Sequence, residues 1–112
     1  MESILTSIKK LLGIAEENTD FDADIIMHIN SVFTTLTQLG VGPSEGFSIT
    51  GADDFWSDFV TENLEAVKSY VYLKVRLIFD PPASATISDA LKETIYELEW
   101  RLNVGAESNT PG

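Results

Sequence analysis

The chain has 112 residues, enough for one domain and too few for two ordinary ones. Hydrophobic residues make up 44% and charged residues 22%, a globular rather than a disordered composition. With 18 acidic residues against 7 basic ones the formal net charge is −11, which offers no basic footprint for nucleic-acid phosphates and is repelled by anionic membrane surfaces. The absence of cysteine excludes a disulfide frame, a thiolate zinc site and a cysteine nucleophile.

At the N-terminus Glu2 comes first and Lys9 and Lys10 follow the apolar residues, the reverse of a signal peptide, so synthesis in the cytoplasm is expected. Four helical segments follow in chain order. The first spans about Glu2 to Leu12, with Ile4, Leu5, Ile8, Leu11 and Leu12 at helical spacing and Gly13 as its stop. It is too short to stand alone and must dock on something.

The second helix spans about Asp22 to Leu39. Ile25, Ile26, Ile29, Val32, Phe33, Leu36 and Leu39 form one broad apolar face, and Gly40 is the expected C′ residue. Asp20-Phe-Asp22-Ala-Asp24 superficially resembles the start of a calcium loop. That loop needs glycine at its sixth position and glutamate at its twelfth, where this chain has Ile25 and Ser31, so the acids read as a helix start. His28, the sole histidine, sits at the edge of the apolar face with no nucleophile motif or second nitrogen ligand, and reads as structural or surface.

Val41 to Asp54 is loop, carrying Gly42, Pro43, Gly46 and Gly51, with a short extended piece expected at Phe47-Ser48-Ile49. Its stretch from Val41 to Ile49 is expected to be mobile in the free subunit. Asp53 to Phe59 suggests one helical turn capped by Asp53 or Asp54.

The third long helix spans about Thr61 to Phe79, the most apolar part being Tyr70 to Phe79. Lys74 and Arg76 interrupt that part, and it is far shorter than the ~20 residues that cross a bilayer. Asp80-Pro81-Pro82 ends the helix, since proline removes a donor and moves its predecessor out of the helical region. The apolar arc of this helix covers roughly 200°, as expected of a central helix touched on two sides. Lys74 falls near the middle of that arc and is predicted to be the most buried basic residue, paired with an acid or a backbone carbonyl.

The fourth helix spans about Thr86 to Asn103, with a narrow core stripe of Ile87, Leu91, Ile95, Leu98 and Leu102. The polar tail from Val104 to Gly112 is expected to be mobile. Tyr96 and Trp100 lie roughly half a turn away from the stripe. Either the glycine-rich loop folds over them, or they anchor a protein–protein contact with Arg101 at its rim. Phe47 and Trp56 raise the same question, as do Phe55 and Phe59, with core packing as the rival. Glu97 and Glu99 point to different sides of the helix and form no catalytic pair. There is no phosphate-binding glycine loop and no Gly-x-Ser-x-Gly, so neither an enzyme nor a cofactor is indicated. The reading is a single all-α, four-helix domain over 1–103, with a glycine-rich loop between the second and third long helices.

The segments Tyr70-Val-Tyr-Leu-Lys-Val-Arg-Leu-Ile-Phe79, Asp80-Pro-Pro82 and Glu97-Leu-Glu-Trp-Arg-Leu-Asn103 carry a resemblance. With the Gly40-Val-Gly42 loop and the Trp56-Ser-Asp-Phe59 turn, this order of segments resembles the small head–tail connector (head-completion, or adaptor) proteins of long-tailed bacteriophages. The resemblance implies an all-α fold and no enzymatic activity. It also implies a ring of about twelve copies of the chain, a closed cyclic assembly located in the virion. The ring would sit between the portal protein and the next tail-side connector or stopper protein, and DNA would pass through it without specific binding. An acidic DNA mimic and a generic helical adaptor of the host cytosol are the alternatives. Mimicry is disfavoured because much of the acid is concentrated at helix starts rather than spread over one face.

Overall fold

The computed structural model describes residues 2–108. Within them the chain forms five helices: α1 (Ile4–Leu11), α2 (Asp22–Gln38), the single turn α3 (Trp56–Phe59), α4 (Leu64–Phe79) and α5 (Ala85–Ser108). No sheet occurs among the described residues; Ser3 and Phe55 form one isolated antiparallel bridge. The class is therefore all-α, with four substantial helices and one short one.

The helix ends follow from their residues. Ser3 caps α1, its Oγ accepting the Thr6 N–H at 3.2 Å. Gly40 closes α2 in a left-handed conformation with φ 86°, where its N–H bonds Thr37 O and the Val41 N–H bonds Leu36 O. That pair of bonds satisfies carbonyls the last turn would leave orphaned. Gly13 closes α1 in the same way. Asp80, ahead of Pro81 and Pro82, ends α4 with its N–H on Arg76 O at 2.9 Å.

Three boundaries differ from those read in the sequence. α4 begins at Leu64 rather than Thr61, because Asn63 adopts a left-handed conformation with φ 56°, which asparagine tolerates and a helical first turn does not. The α3 turn is capped by neither Asp53 nor Asp54. Phe55 holds the cap position, and the Asp58 carboxylate accepts its N–H at 3.3 Å. The Asp54 carboxylate instead accepts the Thr50 N–H at 2.7 Å, and its carbonyl accepts the Ile4 N–H at 3.0 Å. Finally, α5 continues past Asn103 to Ser108. Asn103 Nδ2 donates to Leu39 O at 3.2 Å, and Ala106 lies against Gly40, so this end of α5 is tied to the end of α2. Residues 109–112 of the expected tail lie outside the described residues.

Packing explains the wide apolar arc of α4. Val67, Tyr70, Val71 and Val75 are all fully buried, because α4 packs against both α2 and α5 while α1 closes over α2 and α4. The molecule is flat, with Cα extents of 46 × 36 × 19 Å. An aromatic cluster fills the centre: Phe33 stacks against Phe59 at 4.5 Å and meets Trp56 edge-on at 6.4 Å.

The core stripe of α5 is shorter than its sequence suggests. Ile95 and Leu102 are buried and Leu91 and Leu98 half-buried, but Ile87 is exposed. The register gives the reason. Tyr70 lies opposite Glu99 and Asn63 beside Gly105, so α4 and α5 are antiparallel. The first turn of α5 therefore extends past the end of α4 by about 7 Å at 1.5 Å per residue. Nothing in α4 is left to cover Ile87.

Candidate assembly surface

The outer face of α5 is the main unpartnered aromatic surface among the described residues. Ile95 and Leu102 bind this helix to α4, which turns Tyr96 and Trp100 outward at 66% and 68% exposure. Val104 continues the same line and is partly exposed. Arg101 pairs with Glu97 one turn back at 2.6 Å, both side chains in solvent. A pair so exposed contributes little to stability, so Arg101 is held at the edge of the aromatic stripe at small cost.

The glycine-rich loop does not cover this face. It packs in the opposite direction, onto α2. Phe47 lies 5.5 Å from Phe33 and 5.2 Å from Phe59, and Ile49 is buried. Asn30 anchors the loop with two bonds: its Oδ1 accepts the Ile49 N–H at 2.7 Å and its Nδ2 donates to Ile49 O at 3.0 Å. The Phe47-Ser48-Ile49 piece thus satisfies its backbone on an asparagine side chain and forms no strand.

Of the candidate interface residues, Trp56 belongs to the interior and Phe47 is partly committed to it. Trp56 is 1% exposed, its indole Nε1 donating to Ser7 Oγ at 2.8 Å. Phe47 is half-buried in the aromatic cluster. Tyr96, Trp100 and Arg101 remain on the surface.

Lys74 is also corrected. It is half-buried, its amine 5.8 Å from the centroid of the Tyr70 ring, with the ring face rather than a carboxylate beneath it. The buried cation is Lys9, which is 3% exposed. Its Nζ donates to Glu16 O at 3.0 Å and Asn18 O at 2.8 Å, and pairs with Asp22 Oδ1 at 2.8 Å. Asp22, read as a helix-start acid, thus also holds the connection between α1 and α2 to α1. The signal was available: Lys9 shares a helical face with Leu5 and Leu12.

A second polar link was not read from the sequence. The Tyr70 hydroxyl donates to Glu99 Oε2 at 2.6 Å. Burial holds the Tyr70 phenol well above the ordinary tyrosine range, and the Glu99 carboxylate adds to this through the hydrogen bond and its charge.

A groove of about 570 Å³ between α1 and α4 is lined by Thr6, Lys10, Leu11, Lys68 and Tyr72 among others. Lys68 pairs there with Glu2 and, at 3.8 Å, with Glu65. No group of three or more His, Asp or Glu side chains among the described residues is placed to hold a metal ion. No described helix is long and apolar enough to cross a membrane.

No curated protein and no solved structure matches the chain. A family model described as "Phage connector protein" matches residues 4–109, from the first residue of α1 past the last described residue of α5. The chain belongs to the phage connector protein family, whose role is structural.

Proposed function

We propose that this chain is a structural virion protein that forms a ring between portal and tail, extends the DNA channel and joins head to tail. The observation that carries the reading is the exposed Tyr96–Trp100 pair on α5 of a connector-family chain. Each aromatic has on the order of 150–250 Å² to bury, at roughly 25 cal/mol per Å², so leaving both in water forfeits stabilisation that an assembly recovers. Tyrosine, tryptophan and arginine are also the residues that most often anchor protein interfaces.

The charge fits the same role. A ring of about twelve copies, each at −11, carries roughly 130 negative charges. A channel bounded by such a ring repels the DNA backbone and lets it pass without adhering. The partners are then further copies of this chain, the portal protein on one side and the next tail-side connector or stopper on the other. The chain is made in the bacterial host cytoplasm and ends in the virion at the head–tail interface.

Electron microscopy of particles assembled without this chain tests the reading. Filled or leaking heads with no attached tails are expected, and normal tailed particles would overturn it.

A further inference from the structure

We propose that neighbouring copies join edge to edge, the α5 aromatic stripe of one copy docking on the outer face of α2 of the next. The inference rests on the ring reading above and assigns both halves of its subunit contact.

Geometry supplies the first argument. A ring of more than two subunits needs a head-to-tail contact between two different patches of each subunit. α4 packs against both α2 and α5, and the exposed faces of α2 and α5 are two different patches of the same subunit. The α2 face is long enough to take the α5 stripe. Met27 to Gln38 spans about 16 Å of helix and Tyr96 to Val104 about 12 Å, at 1.5 Å per residue.

Charge supplies the second. The α5 edge carries Glu93 and Glu97 beside Trp100, so on a chain of net −11 it is repelled by most of the surface of another copy. From Ile25 to Ser44 the sequence has no Asp, Glu, Lys or Arg. The exposed face of α2 within that stretch is Met27, Ser31, Thr34 and Gln38. Depletion of charge is what distinguishes the centre of a protein interface.

The third argument is that the hydroxyls of this face are ready to lose water. Ser31 Oγ donates to Met27 O at 3.1 Å and Thr34 Oγ1 to Asn30 O at 3.2 Å. With both hydroxyl donors already engaged on their own helix, covering them strands no donor. Met27, 58% exposed and flexible, can shape itself to an aromatic ring.

The test uses two full-length variants, Trp100→Glu and Ser31→Glu, each placing an acid on one edge, with circular dichroism confirming that both fold. Light scattering on the concentrated wild-type chain reads association. Each variant alone should associate at least tenfold more weakly than wild type. Mixed in equal amounts they should form dimers and stop there, because the intact α5 edge of Ser31→Glu meets the intact α2 edge of Trp100→Glu. If Ser31→Glu associates like wild type, or the mixture stays monomeric while wild type assembles, this contact is wrong and the ring reading stands. If the wild-type chain never associates at any concentration, the ring reading falls along with it.

Discussion

The Tyr70 hydroxyl donates a 2.6 Å hydrogen bond to Glu99, joining the centre of α4 to the same helix that turns Trp100 outward. The bond sets the register between the two helices. It is also consistent with the rotation of α5 about its axis, since Trp100, one residue on, points about 100° away from Glu99. The polar contact and the burial of Ile95 and Leu102 thus agree on which face of α5 is left outward.

That contact has a pH signature. The folded state holds the Tyr70 phenol above its ordinary value of about 10, so the unfolded chain loses this proton first as pH rises. Stability is fully present below pH ~10 and falls above it. Urea midpoints measured at rising alkaline pH should decline, and Tyr70→Phe should flatten that decline while costing about 1 kcal/mol at neutral pH. An unchanged alkaline slope in the variant would show that the phenol does not control it.

Lys9 anchors two backbone carbonyls and the Asp22 carboxylate from a buried position. Lys9→Met keeps the stem and removes the ammonium, leaving those acceptors without their donor. The expected loss is about 3 kcal/mol, read by denaturant unfolding. Lys74→Met should cost well under 1 kcal/mol, since only a cation–ring contact at a half-exposed site is lost. The reverse order of the two costs would contradict this assignment.

Gly42 is the tightest point of the glycine-rich loop. It has φ 84°, and an added Cβ would fall 2.4 Å from Cε1 of the packed Phe59 ring. Gly42→Ala combines left-handed strain with overpacking and should destabilise by about 2–4 kcal/mol. Thermal unfolding checks this, and a neutral substitution would mean that the loop and the ring separate freely.

The two tryptophans should behave oppositely. Trp56→Ala empties a core site and should cost about 3–5 kcal/mol. Trp100→Ala should stay within about 0.5 kcal/mol of wild type in monomer stability while weakening self-association or head attachment. Should Trp100→Ala unfold the isolated chain, the α5 face is structural rather than adhesive.

Much of the secondary structure could be read from local residues, because the signals are local. Gly13 and Gly40 end helices through their own left-handed backbone, Asp80-Pro81-Pro82 stops α4, and the apolar periodicity of α2 and α4 names the faces that become buried. The absence of cysteine and the excess of acid likewise excluded whole classes of chemistry without any coordinates. The opposition of Tyr96 and Trp100 to the core stripe follows from helical spacing alone, but whether the glycine-rich loop covered them was decided by its packing onto α2.

What the sequence left undecided depended on which surface met which. Trp56 and Trp100 are equally large and equally aromatic, and only the docking of α3 against Ser7 and Phe33 makes one of them core. Lys9 and Lys74 both sit in apolar stripes. Lys9 is buried because the chain between α1 and α2 turns back to present Glu16, Asn18 and Asp22 to its amine, whereas Lys74 reaches the edge of its helix over Tyr70. Ile87 fits the periodicity of a core residue and is wet because α5 outruns α4. Periodicity reports which side of a helix is apolar. Burial requires a second element at that height and on that side, and the placement of that element is decided by the long-range contacts of the fold.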